Sequence, residues 1–237
     1  YKDYAAWEAE QIKEDKFINN KNYWINKFTD DIPILNMPTT YTRPMKKTSK
    51  GNTRQKIISK QLSDKIEKLA QKNNVTSYMI MLTAYYILLY KYTGQQDIIV
   101  GTPVSGRVHE ELEPLIGMFV NTLPLRQKIL SEYSFIKLLN EVRTNCVEGF
   151  SHQEYPFDAL VNELNLTKDA SRNPLYDTMF IYQNNMLKNP KIEEMNAQYY
   201  IPKSKTSKLD ISLEVFPKEN SIELCFEYWT ELFDAKF

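Results

Sequence analysis

Few side chains in this 237-residue chain could act as a nucleophile or a general base. Ser105 stands in the stretch PVSGR, which lacks the paired glycines of a GxSxG nucleophile elbow. His109 lies among glutamates that indicate a solvated turn, and His152 lies at a predicted helix junction. We therefore expect structural or surface roles for both histidines. The residues by themselves do not indicate a complete enzyme.

The sequence also lacks the motifs that are typical of metal sites, nucleotide sites and disulfides. Cys146 and Cys225 are far apart and form no CxxC spacing, so we expect neither a disulfide scaffold nor a zinc site. This cysteine usage favours a reducing, cytoplasmic setting. Two histidines cannot form a histidine-rich site, and no GxGxxG or Walker-type phosphate loop is present. The sequence therefore predicts no metal and no bound nucleotide.

The charge balance argues against nucleic acid and membrane partners. Lys and Arg number 30, as do Asp and Glu, which gives a formal net charge of zero and no electrostatic footprint. Residues 77–92 are apolar but shorter than the roughly 20 residues that span a bilayer, which indicates a buried core helix. One local basic patch is expected to be a solvated loop. It comprises Arg43, Lys46, Lys47, Lys50 and Arg54.

Residues 98–126 combine a Gly- and Pro-rich loop with two apolar runs, at 98–100 and 118–120. The first run is typical of a buried strand. The second is expected to be a strand that delivers Asn121 and Thr122 beside the loop. Such an arrangement can present a binding surface, but an ordinary strand–loop–strand connection has the same pattern.

Periodicity predicts the elements that position these residues. Apolar stripes at helical spacing indicate helices over residues 5–11, 23–28, 62–70, 77–92 and 135–146, with a short helix after Pro156. Strands are expected over residues 53–59 (an edge strand), 176–183, 198–201, 209–215 and 222–229, the last two joined as a hairpin. Residues 184–196 are expected to be irregular, and residues 231–234 to begin a helix. The alternation predicts an α/β (α+β) class with a mixed sheet flanked by helices.

Four motifs in order resemble those of the condensation domain of nonribosomal peptide synthetases. Residues 1–7, YKDYAAW, resemble its YxDYAxW motif, and residues 116–126, IGMFVNTLPLR, match IGxFVNTxxxR. Residues 152–158, HQEYPFD, match HQxYPF[DE]. Residues 168–175, KDASRNPL, match RDxSRNPL except that Lys168 replaces the leading Arg. The four motifs span most of the chain, and together they are specific.

The resemblance implies a chloramphenicol-acetyltransferase-like lobe. In the family two such lobes form a V around an active-site tunnel, and this chain is expected to be the C-terminal one, truncated at its end. Residues 1–52 would be the connecting helix and crossing segment from the missing N-terminal lobe, and residues 53–237 the C-terminal lobe. The family's HHxxxDG motif, whose second His lies at the reacting groups, is absent. We therefore expect no catalytic residue in this chain and no activity from it alone.

The resemblance also assigns roles to individual residues. Residues 116–126 would belong to the tunnel floor, and residues 184–209 to a latch that crosses onto the first lobe. Asn173 would hydrogen-bond the reacting groups or a developing oxyanion, and Arg172 would equally pair with a carboxylate. The substrate-positioning candidates are Asn121, Thr122, Arg172 and Asn173. Interface or structural roles are expected for Arg126, Phe119, Tyr155 and Phe157.

The function implied is peptide-bond formation between carrier-bound aminoacyl and peptidyl thioesters, of the type that joins two L-residues. The partners would be the N-terminal lobe, donor and acceptor carrier proteins that bear phosphopantetheine, and an adjacent adenylation domain. No cofactor would bind this chain directly. Two alternatives stay open: a non-catalytic module that binds carrier proteins, and a stand-alone acyltransferase with His109 or His152 as its base.

Overall fold

A six-stranded mixed sheet with helices packed against it forms the centre of the fold. The structure is a computed structural model, and it describes residues 1–166, 169–183, 191–192, 195–196 and 204–236. The described strands are β1 (Gly51–Ser59), β2 (Asp97–Val104), β3 (Asn121–Lys128), β4 (Thr178–Tyr182), β5 (Lys191–Ile192), β6 (Met195–Asn196), β7 (Ile211–Lys218) and β8 (Ser221–Trp229). The described helices are α1 (Lys2–Lys13), α2 (Ile18–Lys27), α3 (Lys60–Lys72), α4 (Ser77–Thr93), α5 (Phe135–Ser151) and α6 (Phe157–Glu163).

The strand order of the sheet is β1-β8-β7-β4-β2-β3. β4 pairs in parallel with β2 and with β7, whereas the other neighbours pair antiparallel. β5 and β6 form a separate two-residue pair. β1 lies at one edge, as its sequence predicts, and β7 and β8 form the predicted hairpin. The predicted α/β class with a mixed sheet is thus confirmed.

Helix α4 is the buried helix that its uniformly apolar sequence predicts. Thr76 caps its first turn through Oγ1, which accepts a backbone hydrogen bond at 3.3 Å. The Tyr85 hydroxyl lies 2.6 Å from Thr178 Oγ1, and the Tyr86 hydroxyl donates to the Leu125 carbonyl at 2.8 Å. Both tyrosines therefore tie the helix to the sheet. Among the described helices, none combines the length and apolar character needed to cross a membrane.

The second apolar run is not a strand, which corrects the expectation for residues 118–120. Strand β3 begins only at Asn121. Met118 and Val120 are 70% and 52% exposed, whereas Phe119 between them is 5% exposed. β3 forms the other edge of the sheet. A proline nitrogen cannot donate a hydrogen bond, and Pro124 is tolerated here because one side of an edge strand needs no donor.

The expectations for the last third of the chain are partly wrong. Residues 231–234 do not form a helix. A turn covers residues 230–232, and the N–H groups of Leu232 and Phe233 both donate to the Trp229 carbonyl at 3.1 Å. Both side chains are buried beside Trp229, so packing fixes the turn. Residues 191–192 and 195–196, expected to be irregular, form β5 and β6. The strand predicted over 198–201 and most of the predicted latch lie outside the described residues.

The basic patch is not simply a solvated loop. Residues 28–49 connect α2 to β1 without a helix or strand, and the side chains of Arg43 and Lys47 are only 19% and 13% exposed. The Arg43 guanidinium pairs with the Asp210 carboxylate, and Lys47 Nζ lies 3.7 Å from the same carboxylate. Both cations also lie within 6 Å of the Trp229 ring, at 5.8 and 5.6 Å. The sequence pattern missed this pairing because Asp210 is more than 160 residues away.

Candidate functional site

The first two motifs meet at the buried side chain of Phe119. The Tyr1 ring lies 5.2 Å from the Phe119 ring and the Tyr4 ring 4.8 Å from it, measured between centroids. The Arg107 guanidinium also lies over the Phe119 ring, 4.2 Å from its centroid. The Tyr1 hydroxyl donates to the Met118 carbonyl at 2.8 Å. Phe119 is therefore a packing centre between α1 and the loop that precedes β3.

The second and third motifs are joined by the side-chain amide of Asn121. Its Nδ2 donates to the carbonyls of Gln153 and Tyr155, each at 2.8 Å. Its Oδ1 accepts from the N–H groups of Thr122 at 2.8 Å and Phe157 at 3.1 Å. All four bonds go to the main chain, so the amide fixes the start of β3 against the segment that enters α6. The substrate-positioning role of Asn121 stays a prediction.

The other residues around this junction pack beside one another. Phe157 lies 5.4 Å from the Tyr176 ring, and the Tyr176 hydroxyl interacts with the Thr122 hydroxyl. Burial raises the pKa of Tyr176, and the Thr122 contact opposes that rise. Tyr155 is 4% exposed, and burial raises its pKa as well. Thr122 therefore contacts the residue that follows the fourth motif.

Arg126, the last residue of the second motif, holds three other residues through its guanidinium, and we call this set of contacts the Arg126 clamp. Its Nε lies 3.1 Å from both carboxylate oxygens of Asp97, and its Nη2 lies 2.7 Å from Oδ2. Nη1 and Nη2 also donate to the carbonyls of Lys27 at 3.0 Å and Asp31 at 2.9 Å. The guanidinium thus ties β2 and β3 to the end of α2.

Replacing Arg126 with lysine is expected to lower the free energy of unfolding by about 1–3 kcal/mol. A lysine can retain one ion pair with Asp97 but cannot also reach both carbonyls from a planar fork. Urea denaturation measures the change, with Arg143→Lys as a control at an exposed position. Equal stabilities of the two variants would contradict the clamp.

The fourth motif lines a cavity of about 910 Å³. Arg172 donates through Nη1 to the Leu35 carbonyl at 3.2 Å and pairs with the Asp177 carboxylate. Burial raises the pKa of Asp177 and the nearby Asp210 charge adds to the rise, whereas Arg172 opposes it. Within the described part of the chain, the Asn173 side chain forms no hydrogen bond, so its amide is available to a ligand. Lys168, where the motif departs from the family pattern, lies outside the described residues.

Two of the four substrate-positioning candidates line this cavity. Arg172 and Asn173 line it together with Tyr176, whereas Asn121 and Thr122 do not. Its remaining walls are mostly apolar and come from residues 32–35, the first residues of β2 and the end of α6. The structure therefore places the candidates in two groups, with Tyr176 between them.

The histidines and cysteines lie outside any catalytic arrangement among the described residues. His109 packs edge-on against Trp7 at 5.9 Å, and its Nε2 is 3.7 Å from a Glu154 carboxylate oxygen. His152 stacks on Tyr23 at 4.1 Å, with its Nδ1 2.8 Å from the Glu148 carbonyl. Both cysteines are free and buried, and no group of metal-ligating side chains is found within the described ranges.

An exposed apolar ridge lies in the second motif, beside the first. We define it as the side chains of Ile116, Met118 and Val120, which are 96%, 70% and 52% exposed. The sequence analysis did not predict that Gly106 and Arg107 support the ridge through their contacts with Phe119. The Gly-Arg pair in the stretch PVSGR was the sequence feature that could have indicated them. Three exposed large apolar side chains on one short segment make the ridge a candidate contact surface.

A family model described as the condensation domain matches residues 1–237. The chain belongs to the condensation domain family. The family resemblance that the four motifs predicted is thus confirmed, and the family's chloramphenicol-acetyltransferase-like fold agrees with the mixed sheet.

The similar proteins are nonribosomal peptide synthetases of much greater length. Gramicidin S synthase 2 of Brevibacillus brevis is 42% identical over 236 residues, which is 100% of this chain and 5% of that protein. Bacitracin synthase 3 of Bacillus licheniformis is 40% identical over 233 residues, 98% of this chain and 4% of that protein. The chain thus spans only about a twentieth of these relatives.

Solved structures show the same fold. The X-domain from teicoplanin biosynthesis matches 99% of this chain and 55% of its own chain, with a TM-score of 0.87 at 19% identity. The condensation domain of the Monacolin K polyketide synthase MokA matches 99% of this chain and 57% of its own, with a TM-score of 0.86 at 17% identity. The condensation domain fold therefore covers nearly the whole chain.

Proposed function

We propose that this chain is the C-terminal lobe of a condensation domain that forms a peptide bond between carrier-bound aminoacyl and peptidyl thioesters. One observation carries the proposal: the second motif contacts both the first and the third, and it presents the apolar ridge beside α1. Residues 1–52 are the connecting helix and crossing segment, and residues 53–237 are the lobe itself. The preceding N-terminal lobe covers the ridge in the complete domain.

The reaction joins the acceptor amine to the donor acyl group. The amine nitrogen attacks the thioester carbon, the C–N bond forms, the C–S bond breaks, and the donor arm leaves as a thiol that takes up the proton released by the amine. The base or positioning His belongs to HHxxxDG in the other lobe. The contribution of this chain is a rigid surface, supported by the Asn121 and Arg126 clamps, and the side-chain amide of Asn173, which lines the cavity and bonds to no other described residue.

The partners follow from the same proposal. Donor and acceptor carrier proteins bring their substrates on phosphopantetheine arms, and an adjacent adenylation domain loads one of them. The similarity to the synthases of gramicidin S and bacitracin supports an antibiotic-type peptide assembly. The stretches IGMFVNT and RNPL resemble those of domains that join two L-residues, and they support that type. No cofactor binds this chain directly, and the assembly works in the cytoplasm.

The sequence encoded upstream of Tyr1 tests the catalytic proposal. We expect an in-frame HHxxxDG motif there, because the second His of that motif supplies the chemistry that His109 and His152 do not. An upstream motif with the second His replaced, or a start codon directly before Tyr1, would contradict peptide-bond formation by this protein.

A non-catalytic binding module is the second candidate. It is favoured by the X-domain of teicoplanin biosynthesis, which has this fold with a TM-score of 0.88 and is found in a complex with OxyB. In that case the apolar ridge would dock a protein and no peptide would form. Binding of carrier protein without peptide formation, measured on the intact protein, would support this candidate over the first.

A further inference from the structure

We infer that α1 and the loop over residues 105–120 (the β2–β3 loop) move as one unit, in which Tyr1, Tyr4 and Arg107 are positioning residues for the apolar ridge. The effect of this coupling on catalysis rests on the proposed function, because the ridge is the surface that the proposal places under the N-terminal lobe. The coupling itself rests on contacts between the two elements.

Helix α1 is held to the rest of the chain by aromatic side chains of one face. None of its residues is fully buried. Tyr1 and Tyr4 contact Phe119, and Trp7, one turn further on, packs against Phe17 at 6.0 Å and His109 at 5.9 Å. Residues three apart on a helix lie on the same face, so α1 docks on the β2–β3 loop through one stripe.

The loop is shaped to receive this stripe. A Cβ on Gly117 would lie 2.2 Å from Cδ2 of the Tyr1 ring, so only glycine admits the ring there. Gly106 has φ of +67°, and a Cβ on it would lie 1.8 Å from the Phe119 carbonyl oxygen. Arg107 closes the loop, since its Nη1 donates to the Leu112 carbonyl while its guanidinium covers the Phe119 ring.

Residues 116–120 alternate between the two sides of the loop. Gly117 and Phe119 face α1 and Arg107, and the intervening Ile116, Met118 and Val120 face solvent as the ridge. The Met118 carbonyl, which accepts from the Tyr1 hydroxyl, lies on the same short segment. A displacement of α1 therefore displaces the ridge, because the inward and outward side chains share one backbone.

Hydrogen–deuterium exchange on the intact protein, followed by peptide mapping, tests the coupling. Tyr1→Phe removes only the hydrogen bond to Met118, and we expect amide exchange in residues 106–120 to rise by about two- to tenfold, the range of one net hydrogen bond. Gly117→Ala displaces the Tyr1 ring and is expected to raise exchange in both α1 and the loop. Tyr41→Phe is the matched control, because Tyr41 is also 47% exposed and also donates a single hydrogen bond, to Asp234.

The same variants separate positioning from general stability. Exchange in α4 is expected to be unchanged in all of them, since the hydrogen bonds of Tyr85 and Tyr86 tie α4 to β4 and β3. In peptide formation, Tyr1→Phe and Gly117→Ala are expected to lower kcat while Tyr41→Phe leaves it unchanged, and Arg107→Lys, which retains a cation above Phe119, is expected to retain more activity than Arg107→Met.

Unchanged exchange of residues 106–120 in both Tyr1→Phe and Gly117→Ala would overturn the coupling. If exchange changes in these variants but the wild-type protein forms no peptide, the coupling is upheld and the proposed function is contradicted. The two failures are thereby distinguished.

Discussion

Replacing Asp210 with asparagine is expected to lower the free energy of unfolding by about 3–5 kcal/mol. The Asp210 carboxylate is 3% exposed and accepts hydrogen bonds from both Nη atoms of Arg43, of which Nη1 lies at 3.1 Å. Arg43 also donates to the Ser171 carbonyl at 3.0 Å. Neutralising the carboxylate leaves a largely buried guanidinium without its counter-charge, and this is the costly step.

Lys47 gives a matched contrast within the same cluster. The cluster holds three cations, Arg43, Lys47 and Arg172, against the carboxylates of Asp177 and Asp210. Burial lowers the pKa of Lys47, and its buried Nζ has no hydrogen-bond partner within the described residues. Lys47→Met balances the charges and is expected to change stability by no more than about 1 kcal/mol.

Urea denaturation of the 237-residue chain, read by tryptophan fluorescence, measures both variants. Trp229 lies against the cluster and is fully buried, so it reports local loosening as well as unfolding. Equal losses for Asp210→Asn and Lys47→Met would contradict the assignment of Arg43 and Asp210 as the principal pair.

The second large effect is expected for Asn121→Ala, which should lower the free energy of unfolding by about 2–4 kcal/mol. The alanine leaves two carbonyls and two N–H groups without the partners that the amide supplies. Because Asn121 is half-buried, water replaces part of this loss, and the expected value is below the sum of four buried bonds.

Asn121→Asp is the control for this prediction. An aspartate retains the acceptor for the Thr122 and Phe157 N–H groups but brings a negative charge toward the carbonyls of Gln153 and Tyr155. Its chemical denaturation midpoint should therefore also fall. If Asn121→Ala abolished peptide formation at full stability, the residue would act on substrate and its role as a main-chain clamp would be contradicted.

Local periodicity was sufficient to predict most helices and the core. The apolar sequence of α4 and the helical stripe of α5 both depend on neighbours within one or two turns. The edge position of β1 also followed from its weak alternation. Such features are encoded locally, and the structure confirms them.

Long-range pairing could not be predicted in the same way. Residues 118–120 resemble a strand in composition, but Phe119 turns inward to α1 while its neighbours stay exposed. Arg43 is largely buried because it pairs with Asp210, and no local sequence pattern links these two residues. The candidate site shows the same limit. The motifs identified the residues, whereas tertiary packing determines that Tyr176 contacts Thr122 and lines the cavity together with Asn173.

The most direct test of the proposed function is peptide formation from a donor and an acceptor carrier protein, each loaded with its aminoacyl thioester. The assay compares the intact protein, the intact protein with the second His of HHxxxDG replaced by alanine, and the 237-residue chain alone. We predict peptide from the intact protein only. Peptide from the chain alone, or none from the intact protein, would contradict the proposal that this lobe completes a two-lobed condensation domain.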